Sequence, residues 1–144
     1  MLKRIPAILS PELLKVLMEM GHGDELCLAD GNFPAAAWAK RLVRLDGHGV
    51  PVLLEAVLRY LPLDTFVDHP VAVMQTADGR RPPVWDEYEA AIGKHESAAF
   101  GNGFEVVERF AFYERAKQCY AIVATGETAL YANVILKKGV IAEP

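Results

Sequence analysis

The spacing of apolar residues divides the chain into alternating helices and strands. In the first segment, four apolar side chains recur at helical spacing: Leu13, Leu14, Leu17 and Met18. Ser10 is followed by proline and glutamate, a combination typical of a helix start, and Gly21 is placed to end the helix. The pattern therefore predicts a helix that runs from Pro11 to Met20, with His22 just beyond its end.

Short apolar runs between turn residues predict the strands. The run from Glu25 to Ala29 has the length of a buried strand, and the turn residues Asp30, Gly31 and Asn32 follow it before a helix that opens at Pro34. Further strands are predicted at 42–45, 71–74, 105–109, 120–125 and 134–136, and further helices at 50–60, 85–95 and 112–119. Alternating strands and helices predict a three-layer α/β/α domain with a mostly parallel or mixed sheet of about six strands.

Composition and charge narrow the class of ligand. The 144 residues suit one domain spanning 1–144, and no apolar run approaches the roughly 18 residues that a membrane helix needs. The net charge is −4, with no cluster of basic residues, which argues against a nucleic-acid or anionic membrane partner. Cys27 and Cys119 lack CxxC spacing, and Met1 to Ser10 lacks a long apolar stretch, so we expect no signal peptide. We expect a soluble, cytoplasmic protein whose ligand is small and neutral.

Common catalytic motifs are absent from the sequence. It contains no GxGxxG, GxxxxGK[ST], GxSxG or HExxH pattern, so a nucleotide cofactor and a serine nucleophile have no support. A metal site built from His22, Asp24 and Asp30 is a weaker alternative, because the three ligands are scattered and of mixed type. The expected site therefore contains neither a metal nor a cofactor.

His22 is the best candidate for acid-base chemistry, because imidazole alone titrates near neutral pH without a large shift. Each residue at this site also has a structural interpretation. A histidine after a helix end interacts favourably with the helix dipole, and Asp30 can cap its own turn. Taken singly, neither residue establishes a site.

Two groups of side chains in the second half of the sequence have the chemistry to bind a ligand that carries hydroxyl groups. On extended backbone, Tyr131 and Asn133 project to the same side and together can grip neighbouring hydroxyls; alternatively they stabilise a turn and the backbone. Arg109 offers planar donors, and the aromatic rings that follow it, among them Tyr113, can lie against the C–H face of a sugar. The alternative for this aromatic stripe is plain helix core.

Five segments occur in a fixed order along the chain: ILSPELLKVLMEMGHGDE, DGNFP, RFAFYERA, TGE and YANVILKKGV. In this order they resemble the sugar mutarotase family that contains L-fucose mutarotase and D-ribose pyranase, and most closely its fucose branch. The resemblance implies that His22 is the general acid-base group and that the sugar is bound by Asp30, Arg109, Tyr131 and Asn133, with Tyr113 as a further contact. Ribose-type members typically have histidine at the position of Tyr113, which favours fucose or a similar hexose here. Asn32 departs from the fucose members, which carry histidine at that position.

The resemblance also implies a reaction and an assembly. The expected enzyme is an L-fucose mutarotase-type isomerase that interconverts the α and β anomers of a free monosaccharide, with no cofactor. Asp30 would accept hydrogen bonds from sugar hydroxyls and orient His22, or act as the base itself. Two alternatives are a non-catalytic monosaccharide-binding protein that supports sugar uptake, and a mutarotase or pyranase for another sugar such as D-ribose or L-rhamnose. A homodecamer with sites completed between subunits is expected from the same resemblance.

Overall fold

The computed structural model describes residues 1–143, so Pro144, the last residue of the expected domain, lies outside the described residues. Within that range the strands are β1 (Glu25–Ala29), β2 (Leu42–Leu45), β3 (Val71–Met74), β4 (Glu105–Val107), β5 (Ala121–Thr125) and β6 (Val134–Lys137). The helices are α1 (Pro11–Glu19), α2 (Ala35–Trp38), α3 (Val50–Leu58), α4 (Pro83–His95) and α5 (Arg109–Gln118). None of these helices is long and apolar enough to cross a membrane.

The six strands form one mixed sheet in the order β2-β5-β1-β6-β3-β4. All neighbouring pairs are parallel except those of β6, which runs antiparallel to both β1 and β3. The carboxyl ends of five strands and the amino end of β6 therefore meet at one edge of the sheet. Residues that follow β1, β3 and β4 are brought together there with residues that precede β6.

Helices cover both faces of the sheet, which confirms the predicted three-layer α/β/α architecture. On one face α1, α3 and α4 bury the larger core cluster, and α3 is buried along most of its length. On the other face α5 and the short α2 pack a smaller cluster around Phe112, which is fully buried. The α1 start is also as predicted, because the Ser10 side chain accepts a hydrogen bond from the Leu13 amide at 3.2 Å.

The TGE segment ties the end of β5 to the start of α3. The Glu127 carboxylate accepts hydrogen bonds from the Val50 amide at 3.0 Å and from the amides of Thr128 and Ala129, both at 3.0 Å. The carboxylate therefore caps the amino terminus of α3, where the N-cap residue, Gly49, has no side chain to accept a hydrogen bond. A Cβ atom at Gly126 would overlap a neighbouring backbone carbonyl, so the turn requires glycine. The TGE segment therefore fixes the start of the connection from β5 to β6 against the amino terminus of α3.

The structure corrects the predicted boundary between β4 and α5. The strand predicted at 105–109 ends at Val107, and α5 begins at Arg109 rather than at Phe112. The cause is Glu108, whose carboxylate accepts hydrogen bonds from the amides of Phe110 at 3.0 Å and Ala111 at 2.9 Å. Because this side chain caps the free N–H groups of the helix, α5 starts three residues earlier and carries Arg109 in its first turn.

Candidate active site

A cleft of about 590 Å³ opens at the sheet edge where the strand ends converge. All five residues predicted to bind a sugar line it: Asp30, Arg109, Tyr113, Tyr131 and Asn133. They come from three separate parts of the chain, namely the turn after β1, the first two turns of α5 and the short segment that leads into β6. The topology, not proximity in sequence, brings these side chains together.

Asp30 and Asn133 form the buried floor of the cleft. The Asn133 Oδ1 atom accepts a hydrogen bond from the Asp30 amide at 2.8 Å, and both residues are at least nine-tenths buried. The Asp30 Oδ1 atom accepts from the Asn32 amide at 2.9 Å, so Asp30 also has the predicted turn-forming role. Burial raises the pKa of the Asp30 carboxyl above its ordinary value, against hydrogen bonds from the backbone of Asn32 and Phe33 that lower it. A carboxyl group in such surroundings is suited to exchange a proton with a ligand.

Arg109 and Tyr113 form one wall of the cleft from successive turns of α5. The Arg109 Nε atom donates a hydrogen bond to the Tyr113 hydroxyl at 2.9 Å, which leaves the terminal guanidinium nitrogens for a ligand. The Tyr113 ring packs against Trp38 at 5.1 Å and Phe33 at 6.0 Å between centroids. This wall therefore offers both charged donors and aromatic faces.

Tyr131 lies in the cleft for a reason that differs from the predicted one. Its φ is +56°, so the backbone is left-handed and not extended, and the prediction that Tyr131 and Asn133 project to the same side of extended backbone is wrong. The Tyr131 hydroxyl accepts a hydrogen bond from the Ala77 amide at 3.1 Å, and its carbonyl accepts from Trp85 Nε1 at 3.1 Å. Two contacts thus hold a strained backbone conformation, and such strain is common at functional sites.

His22 does not line this cleft. It lies before β1 whereas Asp30 lies after it, and the five residues of β1 span about 15 Å at roughly 3.3 Å per residue. The His22 imidazole is about half exposed, and its Nε2 atom lies 3.1 Å from Oδ1 of the buried Asp64. The expectation that Asp30 orients His22 within the chain is therefore wrong, because Asp64 does so.

Asp64 is the functional candidate that the sequence interpretation missed. Burial alone would raise its pKa, but hydrogen bonds from the Phe66 amide and from His22 outweigh burial, so the pKa of Asp64 lies below its ordinary value. An ionised carboxylate only accepts hydrogen bonds, so His22 Nε2 must carry the hydrogen and Nδ1 is left free. The available signal was an acidic residue within the apolar segment LPLD.

The alternative metal site is divided between the two ends of β1. His22 and Asp24 precede the strand, and Asp30 follows it. In the part of the chain that the structure describes, no group of three or more His, Cys, Asp or Glu residues could hold a metal ion.

The similarity of the chain to known proteins agrees with this architecture. Residues 3–141 match the RbsD / FucU transport protein family. The chain belongs to this family. Human fucose mutarotase is 53% identical over 149 residues, which cover 98% of this chain and 95% of that protein. The L-fucose mutarotase of Actinobacillus pleuropneumoniae serotype 5b is 51% identical over 142 residues, which cover 97% of each chain.

A solved structure in the same family extends the match to three dimensions. The fucose mutarotase of Streptococcus pneumoniae, in complex with L-fucose, is 49% identical and superposes with a TM-score of 0.92 over 98% of this chain and 100% of that one. The predicted family and its predicted fold are both confirmed.

Proposed function

We propose that this chain is an L-fucose mutarotase-type isomerase that interconverts the α and β anomers of a free monosaccharide. The observation that carries the proposal is the cleft itself, in which five predicted sugar-binding residues from separate parts of the chain converge. Near full-length similarity to fucose mutarotases, one of them in complex with L-fucose, supports the choice of sugar.

The cleft has the groups that a free sugar requires. Asp30 accepts hydrogen bonds from ring hydroxyls, while Arg109 donates to them and Tyr113 supplies a ring face for the sugar's C–H groups. Tyr113 supports a hexose of the fucose type over a ribose-type ligand. Asn32, which also lines the cleft, is a position where the sugar preference can differ among family members.

The proton-transferring group, His22, comes from a second copy of the chain. A general acid must lie within about 3 Å of the atom that it protonates, and β1 alone separates His22 from the cleft by more than that. The half-exposed imidazole, fixed from behind by Asp64, is available to a neighbouring molecule. We therefore propose a homo-oligomer, a decamer by family resemblance, in which each cleft receives a partner's histidine.

The chemistry then needs only a proton relay. Protonated His22 donates from Nδ1 to the ring oxygen, the anomeric hydroxyl loses its proton to Asp30, and the bond between C1 and the ring oxygen breaks to give the aldehyde. Rotation about the C1–C2 bond and reclosure on the other face return both protons. Such general acid-base help is worth about 10² to 10⁴ in rate.

Exchange NMR on equilibrated L-fucose tests this proposal. The protein should accelerate exchange between the α and β anomeric proton signals, and His22→Ala should abolish the acceleration while L-fucose binding, measured by calorimetry, is retained. L-Rhamnose and D-ribose in the same assay rank the sugars, and activity should be indifferent to a chelator.

A second candidate is a non-catalytic sugar-binding protein that supports uptake, which the description of the family as transport proteins favours. Wild-type protein that binds L-fucose without changing its anomeric exchange would support this candidate and contradict the mutarotase. In either case we propose that residues 1–144 act as one cytoplasmic unit.

A further inference from the structure

Phe66 exposes an aromatic ring beside His22. The residue is 75% exposed, and its ring centroid lies 5.4 Å from that of the imidazole, with the two planes tilted by 53°. A phenyl ring left this open in one chain has most of its apolar surface available to another molecule.

One buried carboxylate oxygen fixes both rings. Asp64 Oδ1 accepts a hydrogen bond from the Phe66 amide at 3.0 Å and lies 3.1 Å from His22 Nε2. Because Asp64 is almost fully buried, the imidazole and the turn that carries the phenyl ring are held to the same anchor. Any molecule that brings a ligand to His22 therefore brings it to Phe66 as well.

We infer that Phe66 contacts the sugar in the neighbouring subunit's cleft and recognises the substituent on its C5 carbon. The inference rests on the proposed function, in which His22 protonates the ring oxygen of that sugar. The ring oxygen of the sugar is bonded to C1 and C5. A phenyl ring whose centroid lies 5.4 Å from that of the imidazole therefore reaches the group attached to C5. In L-fucose that group is a methyl, which makes no hydrogen bond and packs favourably on an aromatic face.

Three sugars that differ only at C5 isolate this contact. L-Fucose carries a methyl group there, L-galactose a hydroxymethyl group and D-arabinose a hydrogen atom. One apolar carbon in a fitted pocket is worth about 10-fold or more in kcat/KM, so the wild-type enzyme should prefer L-fucose to D-arabinose by about that factor. Phe66→Ala should lower kcat/KM for L-fucose by about 10-fold and leave that for D-arabinose unchanged, which removes the preference.

The ratio between sugars separates recognition from assembly. Phe66→Leu keeps an apolar side chain and should retain part of the preference, and Val52→Ala, which shortens an exposed apolar residue on α3, should leave the ratio at its wild-type value. Size-exclusion chromatography checks that each variant has the wild-type oligomeric state.

Two results overturn the inference and are distinguishable. If Phe66→Ala lowers activity equally on all three sugars, or on none, Phe66 does not recognise the C5 substituent even though the mutarotase stands. If the wild-type protein leaves L-fucose exchange unchanged, the proposed function itself fails.

Discussion

Two inactive variants should restore activity to each other if each active site is built from two chains. His22→Ala removes the proposed acid but leaves its own cleft intact. Arg109→Ala disables the cleft but leaves His22 in place, and it disturbs the fold little because the Arg109 side chain is exposed and bonds to the Tyr113 hydroxyl. Each variant alone should be inactive or nearly so.

The expected recovery follows from the geometry. An active site in a mixed oligomer needs an intact cleft, present in half of the chains, and an intact His22 on the neighbour, also present in half. Random assembly of an equimolar mixture should therefore give about one quarter of the wild-type activity. A site contained within one chain would give none, because every chain carries one defect.

The assay is exchange NMR on L-fucose after the two variants are unfolded and refolded together. Each variant refolded alone serves as one control. A mixture of Arg109→Ala with Asn133→Ala serves as the other, because both defects lie in the same cleft and no chain supplies an intact one. Mixed oligomers that form, as shown by differently tagged chains, but remain inactive would refute the two-chain site.

Three further predictions concern single positions. Asp64→Asn should lower kcat by about 10²-fold in the exchange assay without loss of L-fucose binding, because part of the acid-base help, worth about 10² to 10⁴ in rate, is lost with the carboxylate that sets the imidazole tautomer; wild-type kcat would contradict this role. Gly126→Ala should lower the free energy of unfolding by about 2 kcal/mol or more, because the new Cβ overlaps backbone, whereas Gly47→Ala, with open space around it, should cost little by urea denaturation. Hydrogen bonds, the largest effect being that of His95, lower the pKa of Glu55 from 4.5 to about 2. The stability that ionised Glu55 contributes to the fold is therefore present above pH 4.5 and is lost as the pH falls toward 2. The difference in Tm between wild type and Glu55→Gln should therefore shrink across that range, and a constant difference would contradict the assignment.

Local patterns in the sequence were enough to predict most elements of the fold. The bounds of β1, β2 and β3 are those that the apolar runs predict, because buried strands and their turn residues carry strong local signals. The start of α5 was missed because one side chain, Glu108, decides it by capping the helix. A cap of this kind is visible only when the carboxylate is seen to meet the free amides.

The candidate site was predictable as a set of residues but not as an arrangement. Motif similarity identified the cleft residues, yet Tyr131 reaches the cleft from a left-handed turn rather than from extended backbone. Asp64 was missed because its role depends on a contact with His22 across 42 positions of the chain. Contacts of that kind leave little trace in the spacing of residues.

The sequence by itself determined most helices and strands, since their periods are properties of neighbouring residues. Its motifs also identified the family and the residues that line the cleft. Only the tertiary structure decided that β6 runs antiparallel between β1 and β3, which sets Asn133 beside Asp30. It also decided that His22, eight positions from Asp30, belongs to the opposite edge of the sheet. The physical reason is that an extended strand carries its two ends apart, whereas long-range pairing of strands brings distant residues together.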